Sequence, residues 1–368
     1  MDFRILRAGG GDLELWRDLV ARLPAEMRDL HFTPEYGLIY QRTYGQEPLL
    51  AAGLAGDDFV IQPFVRRPLN SLAFQSEQNV EEPFYDIANA YGYGGPLCST
   101  AEPAHARVLA AEFDLRFCEH CVAEGIASEF TSLHPLLGNH ELVRAAGRVE
   151  PVARKEVVVV DLSRGDEGVW QQLNRGHRSS VNKAKATGIR VHRVEPAAAN
   201  LALFQRLYDA TMDRNRAESR WYFPADYFSN CCALLGDAGS SLFFATLNDE
   251  VVSGYLLLHG YATAYYHFGG SDAEHFALRP NNLLMFETAR WAAQAGYRNY
   301  HLGGGVSAAA DDPLFRFKAG FGAGRATLHT YQRIHHQANY DRLCGLKLAH
   351  ERMTGKMSDR DFFPMYRR

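Results

Sequence analysis

Residues 262–322, ATAYYHFGGSDAEHFALRPNNLLMFETARWAAQAGYRNYHLGGGVSAAADDPLFRFKAGFG, constrain the fold of this chain more than any other stretch. Pro280 suits the first turn of a helix and Gly296 a C-terminal cap. Between them Leu283, Leu284, Met285, Phe286, Ala289, Trp291, Ala292 and Ala293 cover most of the helix circumference. Glu287, Arg290 and Gln294 leave one polar stripe, so this helix is expected inside a domain with a single edge to water. The flanking runs read as strands: 262–268 is rich in tyrosine and phenylalanine, and 299–302 is short and stops at Gly303, Gly304 and Gly305. Strand, long loop, buried helix and strand make a crossover unit, and such folds place ligands at the strand ends.

With 368 residues, 46% of them hydrophobic and 12% aromatic, the chain can bury two cores of ordinary domain size. A net charge of −4 and a pI near 6.4 give no overall basic footprint, and DNA is not an expected partner. The charge is uneven, because residues 325–368 carry nine Lys or Arg against four Asp or Glu. No segment approaches the roughly 18 consecutive apolar residues of a membrane span, and the start lacks an apolar leader-like run, so a cytoplasmic protein is expected. Six cysteines do not make a disulfide framework in a chain this long. Cys118 and Cys121 flank His120 without a second pair at zinc spacing, and His329, His335, His336 and His350 offer no metal spacing with a carboxylate, so no metal is expected.

In chain order the patterns predict helices over 12–23 and 34–44, the second capped by Thr33, then a hairpin of strands 49–54 and 59–65. Residues 81–99 cannot be a regular element, yet they hold Tyr85, Asp86, Tyr91 and Tyr93. Such a loop either packs over the first core or touches substrate. A helix over 104–125 and a strand over 128–133 complete a first domain. After Pro151 come a strand over 155–162, a basic helix over 173–188, a strand over 189–194, helices over 200–216 and 224–235, and a second hairpin, 242–247 with 251–259, around Asn248-Asp249. Both halves place helices before a hairpin and an α/β unit after it, as two copies of one fold would. The expected division is 1–150, 151–335, and a basic C-terminal helix and tail over 336–368.

Four motifs taken together resemble one family: LNRGHRSSVNKAKATGIRV from Leu173, YGYGGP from Tyr91, LGGG from Leu302 and FKAGFG from Phe317. Taken in chain order they are similar to the Fem-type peptidyltransferases, the FemABX branch of the GNAT acyltransferase superfamily, over roughly residues 33–330. The resemblance implies an α/β fold of two tandem GNAT-like domains, each a mixed, largely antiparallel sheet flanked by helices, with the transfer site in the second. It also implies transfer of an aminoacyl group from aminoacyl-tRNA, as co-substrate, onto an amine-bearing acceptor, with no cofactor. Residues 200–235 leave no room for the long helical arm that some members insert, and helix 34–44 offers only Arg42 where members can hold acceptor phosphates with a lysine.

Aminolysis of an ester builds negative charge on the carbonyl oxygen, so a positioned donor is required. Lys318, between Phe317 and Phe321, is the candidate catalytic residue, in the stretch whose family equivalent polarises the carbonyl. A lysine there could instead merely snorkel from an aromatic cluster. Helical periodicity puts Arg175, Arg178, Asn182 and Lys185 on one face, with Val181 and Ala184 towards the core, and Arg178 coincides with the family's basic position for acceptor phosphates. Asp86, Tyr91, Tyr93 and Tyr266 are further substrate-binding candidates. The loop 269–282 lacks the glycine-rich turn that cradles a CoA pyrophosphate, since Ala277, Leu278, Arg279 and Pro280 occupy that place. The alternatives are an acyl-CoA or acyl-carrier-dependent N-acyltransferase and a non-catalytic GNAT-pair binding module.

Overall fold

The protein is described by a computed structural model over residues 1–69, 72, 74, 84–355, 357 and 359–367, so residues 81–83 of the aromatic loop lie outside the described residues. The chain divides into two compact units, Met1–Arg154 with Leu328–Arg368, and Lys155–Thr327.

The first unit contains β1 (Asp2–Arg7), α1 (Leu13–Arg22), α2 (Pro34–Tyr44), β2 (Glu47–Ala55), β3 (Asp58–Pro68), β4 (Tyr85–Ala88), the short β5 (Leu97–Cys98), α3 (Pro103–Ala123), β6 (Ile126–Ser132) and α4 (Asn139–Ala146). β1 to β4 pair antiparallel in sequence, β4 pairs parallel with β6, and residues 330–334 pair antiparallel with β6. The period-two alternation of strands builds two cores: Leu50 and Ile61 face Trp16, Leu19 and Phe32, while Leu49 and Val60 face Phe113 and Phe117 of α3. Thr33 caps α2, its hydroxyl accepting the Tyr36 amide at 3.4 Å. α3 starts on Glu102, whose carboxylate accepts the amides of Ala104 (3.1 Å) and His105 (2.6 Å).

The second unit follows with β7 (Val152–Asp161), α5 (Gly165–Gln172), α6 (Arg175–Ala186), β8 (Arg190–Val194), α7 (Ala198–Arg214), α8 (Ala225–Gly239), β9 (Ser240–Leu247), β10 (Glu250–Gly260), β11 (Thr263–Ser271), α9 (Pro280–Gln294), β12 (Asn299–Gly303), α10 (Pro313–Ala319) and β13 (Gly324–Ile334), along which the chain returns to the first unit. The sheet order is β7-β12-β11-β10-β9-β8, with β11 and β12 parallel and the other neighbours antiparallel. Asn248 (φ 49°) and Asp249 (φ 65°) are both left-handed, the two-residue turn that a tight hairpin needs. Gly270 is required by packing: a Cβ there would lie 2.4 Å from the backbone of Leu207 and Tyr208, so α7 can approach β11 closely.

The two units repeat one topology, further than the hairpins alone reveal. β1-α1-α2-β2-β3-β4-α3-β6 and β8-α7-α8-β9-β10-β11-α9-β12 each run strand, two helices, three antiparallel strands, crossover helix and parallel strand. The second copy therefore starts at β8, and β7, α5 and α6 precede it.

The C-terminal segment is not a separate basic tail. α11 (Gln337–Thr354) packs Leu343 and Tyr340 into a cluster with Leu69, Phe84, Ala127 and Tyr366 of the first unit. Its cations are largely spent there: Arg333 pairs with Asp114 at 2.7 Å, Arg360 with Glu351 at 2.8 Å, and Arg342 lies over the Phe84 ring. Arg367 meets Asp86 through Nε at 2.6 Å and Nη2 at 2.7 Å, Arg67 meets it at 2.9 Å, and the Tyr366 hydroxyl donates to it at 3.2 Å. Burial alone would raise the pKa of the Asp86 carboxyl, but Arg67 and Arg367 hold it below its ordinary value. Asp86→Ala should destabilise the protein by about 3–5 kcal/mol, because it leaves two guanidinium groups facing an empty space. Urea unfolding measures this; a loss below about 1 kcal/mol would mean that the cluster is not what holds the C-terminus down.

Candidate active site

The crossover that α9 makes delivers β12 to a loop, residues 303–312, whose shape is set by close approaches. A Cβ on Gly304 would sit 2.9 Å from the Glu156 carbonyl, and one on Gly305 would sit 2.3 Å from Asp312 Oδ1. Asp312 closes the loop and starts α10: its carboxylate accepts the amides of Ser307 (2.9 Å) and Phe315 (3.0 Å) and the Ser307 hydroxyl (3.1 Å). Burial opposes ionisation of this carboxyl, but these bonds win and lower it to about 2.

Lys318, in the last turn of α10, is 6% exposed. Its Nζ donates to the Gly304 carbonyl at 2.9 Å and lies 5.3 Å from the centre of the Tyr266 ring. Beside it Lys155, at the start of the apolar part of β7, donates to the next carbonyl, Gly305, at 2.8 Å. Burial lowers the Lys318 amine to about 7; the positive charge of Lys155 adds to this and Asp312 opposes it. Lys318 is thus an amine poised between charged and neutral at ordinary pH, not a surface lysine.

On another side of α10 lies an open cleft of about 560 Å³ lined by Asn174, His177, Pro313, Arg316, Phe317, Ala319 and Gly320. Asn174 caps α6 by accepting the His177 amide at 2.8 Å, and its own amide donates to the Gly320 carbonyl at 2.9 Å. The His177 ring donates from Nε2 to the Phe317 carbonyl at 2.8 Å and stands edge-on to Phe321. This imidazole fills the space that a Gly320 side chain would take. Lys318 does not line the cleft, since one helical step turns it about 100° from Phe317.

The structure therefore brings together Lys318, Tyr266, Phe317 and Phe321 of the predicted set, and places Arg175 and Arg178 on α6 beside the cleft-lining His177. Arg175 is exposed; Arg178 is half-buried, donating from Nη2 to the Gln171 carbonyl at 2.9 Å, while its Nε is buried without a hydrogen-bond partner. Lys185 is held away from this group by Glu287 of α9 at 2.9 Å and by the Phe286 ring. Asp86, Tyr91 and Tyr93 belong to the first unit. Asp86 is fully buried in the arginine cluster, which corrects its assignment as a substrate contact. Tyr91 is 37% exposed, with its backbone amide fixed by the Tyr40 hydroxyl at 2.7 Å, and Tyr93 packs edge-on against His31 and His134. Lys155, His177 and Asp312 escaped sequence reasoning. Asp before Pro313 is a helix-start signal that points to Asp312, whereas nothing local marks Lys155.

Asp29, His31 and His134, all buried in the first unit, have side-chain atoms within 4.8 Å of one another. Their geometry fits a hydrogen-bonded clamp better than a coordination set. His31 Nδ1 is 2.6 Å from Asp29 Oδ1, shorter than the separation of about 3.3 Å between neighbouring ligands of a tetrahedral zinc. His134 accepts the Leu136 amide at Nδ1, which puts its proton on Nε2, facing Asp29 Oδ2 at 3.5 Å.

Residues 172–318 match the family model of the acetyltransferase (GNAT) domain. Among solved structures, FemX superposes with a TM-score of 0.69 at 15% identity, over 93% of this chain and 99% of FemX. The C-terminal domain of a putative lysylphosphatidylglycerol synthetase from Agrobacterium fabrum gives 0.52 at 14% identity, over 90% of this chain and 95% of that one. A tandem GNAT protein from the clavulanic acid biosynthesis pathway gives 0.52 at 11% identity, over 91% and 98%. No curated protein matches the chain. The fold is that of a tandem GNAT acyltransferase. Its architecture is that seen in FemX. Among the described residues, no helix is long and apolar enough to cross a membrane.

The displaced amine has a thermodynamic consequence. Between about pH 7 and the ordinary lysine value of 10.5, the unfolded chain binds a proton at Lys318 that the folded one does not. Stability therefore rises with pH through that window, and below it the cost of the buried ammonium is present in full. Lys318→Met should be more stable than the parent by a few kcal/mol at pH 6, at ~1.4 kcal/mol per unit of displacement, and the gain should vanish near pH 10.5. Urea unfolding at several pH values reads this; equal stabilities at all pH values would restore an ordinary lysine.

Proposed function

We propose that the protein is an amide-forming transferase that moves an aminoacyl group from aminoacyl-tRNA onto the amine of a small-molecule, peptide or envelope-precursor acceptor. The observation that carries this reading is the buried Lys318 amine, fixed by a carbonyl at the end of the parallel strand pair in a GNAT-matching domain. The acceptor nitrogen attacks the ester carbonyl, the C–N bond forms, and the C–O bond to the ribose breaks. One proton leaves the amine and one is taken up by the departing hydroxyl. Lys318, bonded to Gly304 through one N–H, has further N–H groups for the carbonyl oxygen as it becomes an oxyanion.

Two features support an ester of RNA over a CoA thioester. Where acetyl-CoA enzymes place bare glycine amides ahead of the crossover helix, this chain has Arg279 in the left-handed region (φ 65°) followed by Pro280 at the first helical position. Gly270, close by in sequence, is consumed by the packing of α7. Arg178, with Nε buried and unpaired beside the cleft, supports a phosphate on the acceptor. The C-terminal cations lend little to this reading, because Arg333, Arg342, Arg360 and Arg367 are engaged within the first unit.

Transfer from a charged tRNA pool to an amine, measured with and without ribonuclease pretreatment, tests the donor. Loss of transfer on ribonuclease treatment is expected; persistence, with transfer from an acyl-CoA, would replace the donor by a thioester. Lys318→Ala should lower the maximal rate by ~10²-fold or more, as loss of one oxyanion donor does. Arg178→Ala should raise the acceptor Km with a smaller effect on maximal rate, the mark of uniform binding. An unchanged acceptor Km would remove the phosphate clamp.

A further inference from the structure

Lys155 is the residue of this region that no motif and no resemblance brings forward. It lies at the foot of β7, 163 positions before Lys318 in the sequence, yet the two side chains end on consecutive carbonyls of the glycine run, Gly305 and Gly304. Its stem also lies against that run: a Cβ on Gly304 would come 3.2 Å from Lys155 Cδ and Cε. The groups that face the Lys318 amine are Lys155 from β7, Asp312 from the start of α10, and the Tyr266 ring from β11. Asp312 acts on both lysines, so two cations share one anion, and that anion is already committed to the Ser307 and Phe315 amides.

We propose that Lys155 is a positioning residue for Lys318: by holding the Gly305 carbonyl and presenting a second positive charge to Asp312, it directs the Lys318 amine at Gly304 and sets that amine's readiness to give up a proton. The proposal rests on the reading of Lys318 as the reacting-centre donor, and it deepens it. Asp312 favours the charged form of Lys318, against the larger effect of burial. The neighbouring like charge works against Asp312, because bringing a second ammonium into a half-buried site disfavours the charged form of each. Burial lowers Lys155 as well, and Asp312 opposes this, so the two amines form one coupled unit around a single carboxylate.

The chain has six lysines, so the full-length protein labelled with 13C at lysine Cε gives few signals, and Lys318→Met assigns the one that matters. Titration of that signal from pH 5 to pH 11 should show a midpoint of about 7 in the parent protein. Lys155→Met should move the midpoint up by about one pH unit, since removing a like charge favours the ammonium. Lys155→Arg, which keeps the charge and can still reach a carbonyl, should leave it in place. A merely structural lysine would give no such split between the two variants. The proposal is overturned if Lys155→Met leaves the Lys318 midpoint unchanged, or if Lys155→Arg shifts it as far as Lys155→Met does. Should Lys155→Met fail to fold, Lys155→Gln carries the same comparison. Because the titration needs no substrate, its failure is separate from failure of the transferase reading, which is judged by whether Lys318→Ala retains transfer.

Discussion

The interior of the second unit is organised by the burial of α9. Nine of its fifteen residues are buried, and they include Leu283, Leu284, Met285 and Phe286 in one unbroken run. Those four side chains alone represent on the order of 6–12 kcal/mol of transfer free energy, against at most about 1 kcal/mol for a half-buried pair such as Arg290 with Glu287. A helix so apolar has to lie across a sheet face, and a strand that follows such a crossing can only enter the sheet parallel to the strand before it. β12 therefore emerges beside β11 and stops at Gly303, and the carbonyls of Gly304 and Gly305 stand where the strand ends open. The site for Lys318 is a by-product of where an oily helix had to go.

Against that background the burial of Lys318 is a deliberate local loss. A desolvated ammonium next to another ammonium opposes folding, and the opposition is carried by the apolar core around it. What the loss secures is direction. With one N–H committed to a carbonyl, and Tyr266 behind it, the amine has few other orientations, and that fixed placement is what electrostatic catalysis requires of a donor. The glycine run, read from the sequence as a strand end, turns out to be needed twice over: it lets backbone reach the two amines, and it leaves room for Asp312.

Local patterns proved legible where the cause was local. Thr33, Pro280 and the Asn248-Asp249 turn mark their elements correctly, and the 3.6 periodicity placed Val181 and Ala184 in the core. What could not be read was pairing across hundreds of residues. Asp86 looks like a loop acid waiting for substrate until Arg367, 281 positions away, is found against it. The C-terminal cations likewise look like a free basic tail until their partners appear, and Lys155 looks like any lysine at the start of a strand. Periodicity reports which side of an element faces inwards; it says nothing about which distant charge will be waiting there.

The first unit repeats the topology of the second, and Glu102 closes the start of its crossover helix from within. In the place that corresponds to the start of α9, α3 begins with a carboxylate that already takes the amides of Ala104 and His105. A helix start is attractive to anions because of such uncommitted donors and the partial positive charge behind them. Here both are neutralised from within, and an incoming phosphate would meet like charge at hydrogen-bond range of the amides it needs. The first half of the repeat has, in effect, swallowed its own counter-ion: it is a plugged socket, and the plug is covalently part of the wall.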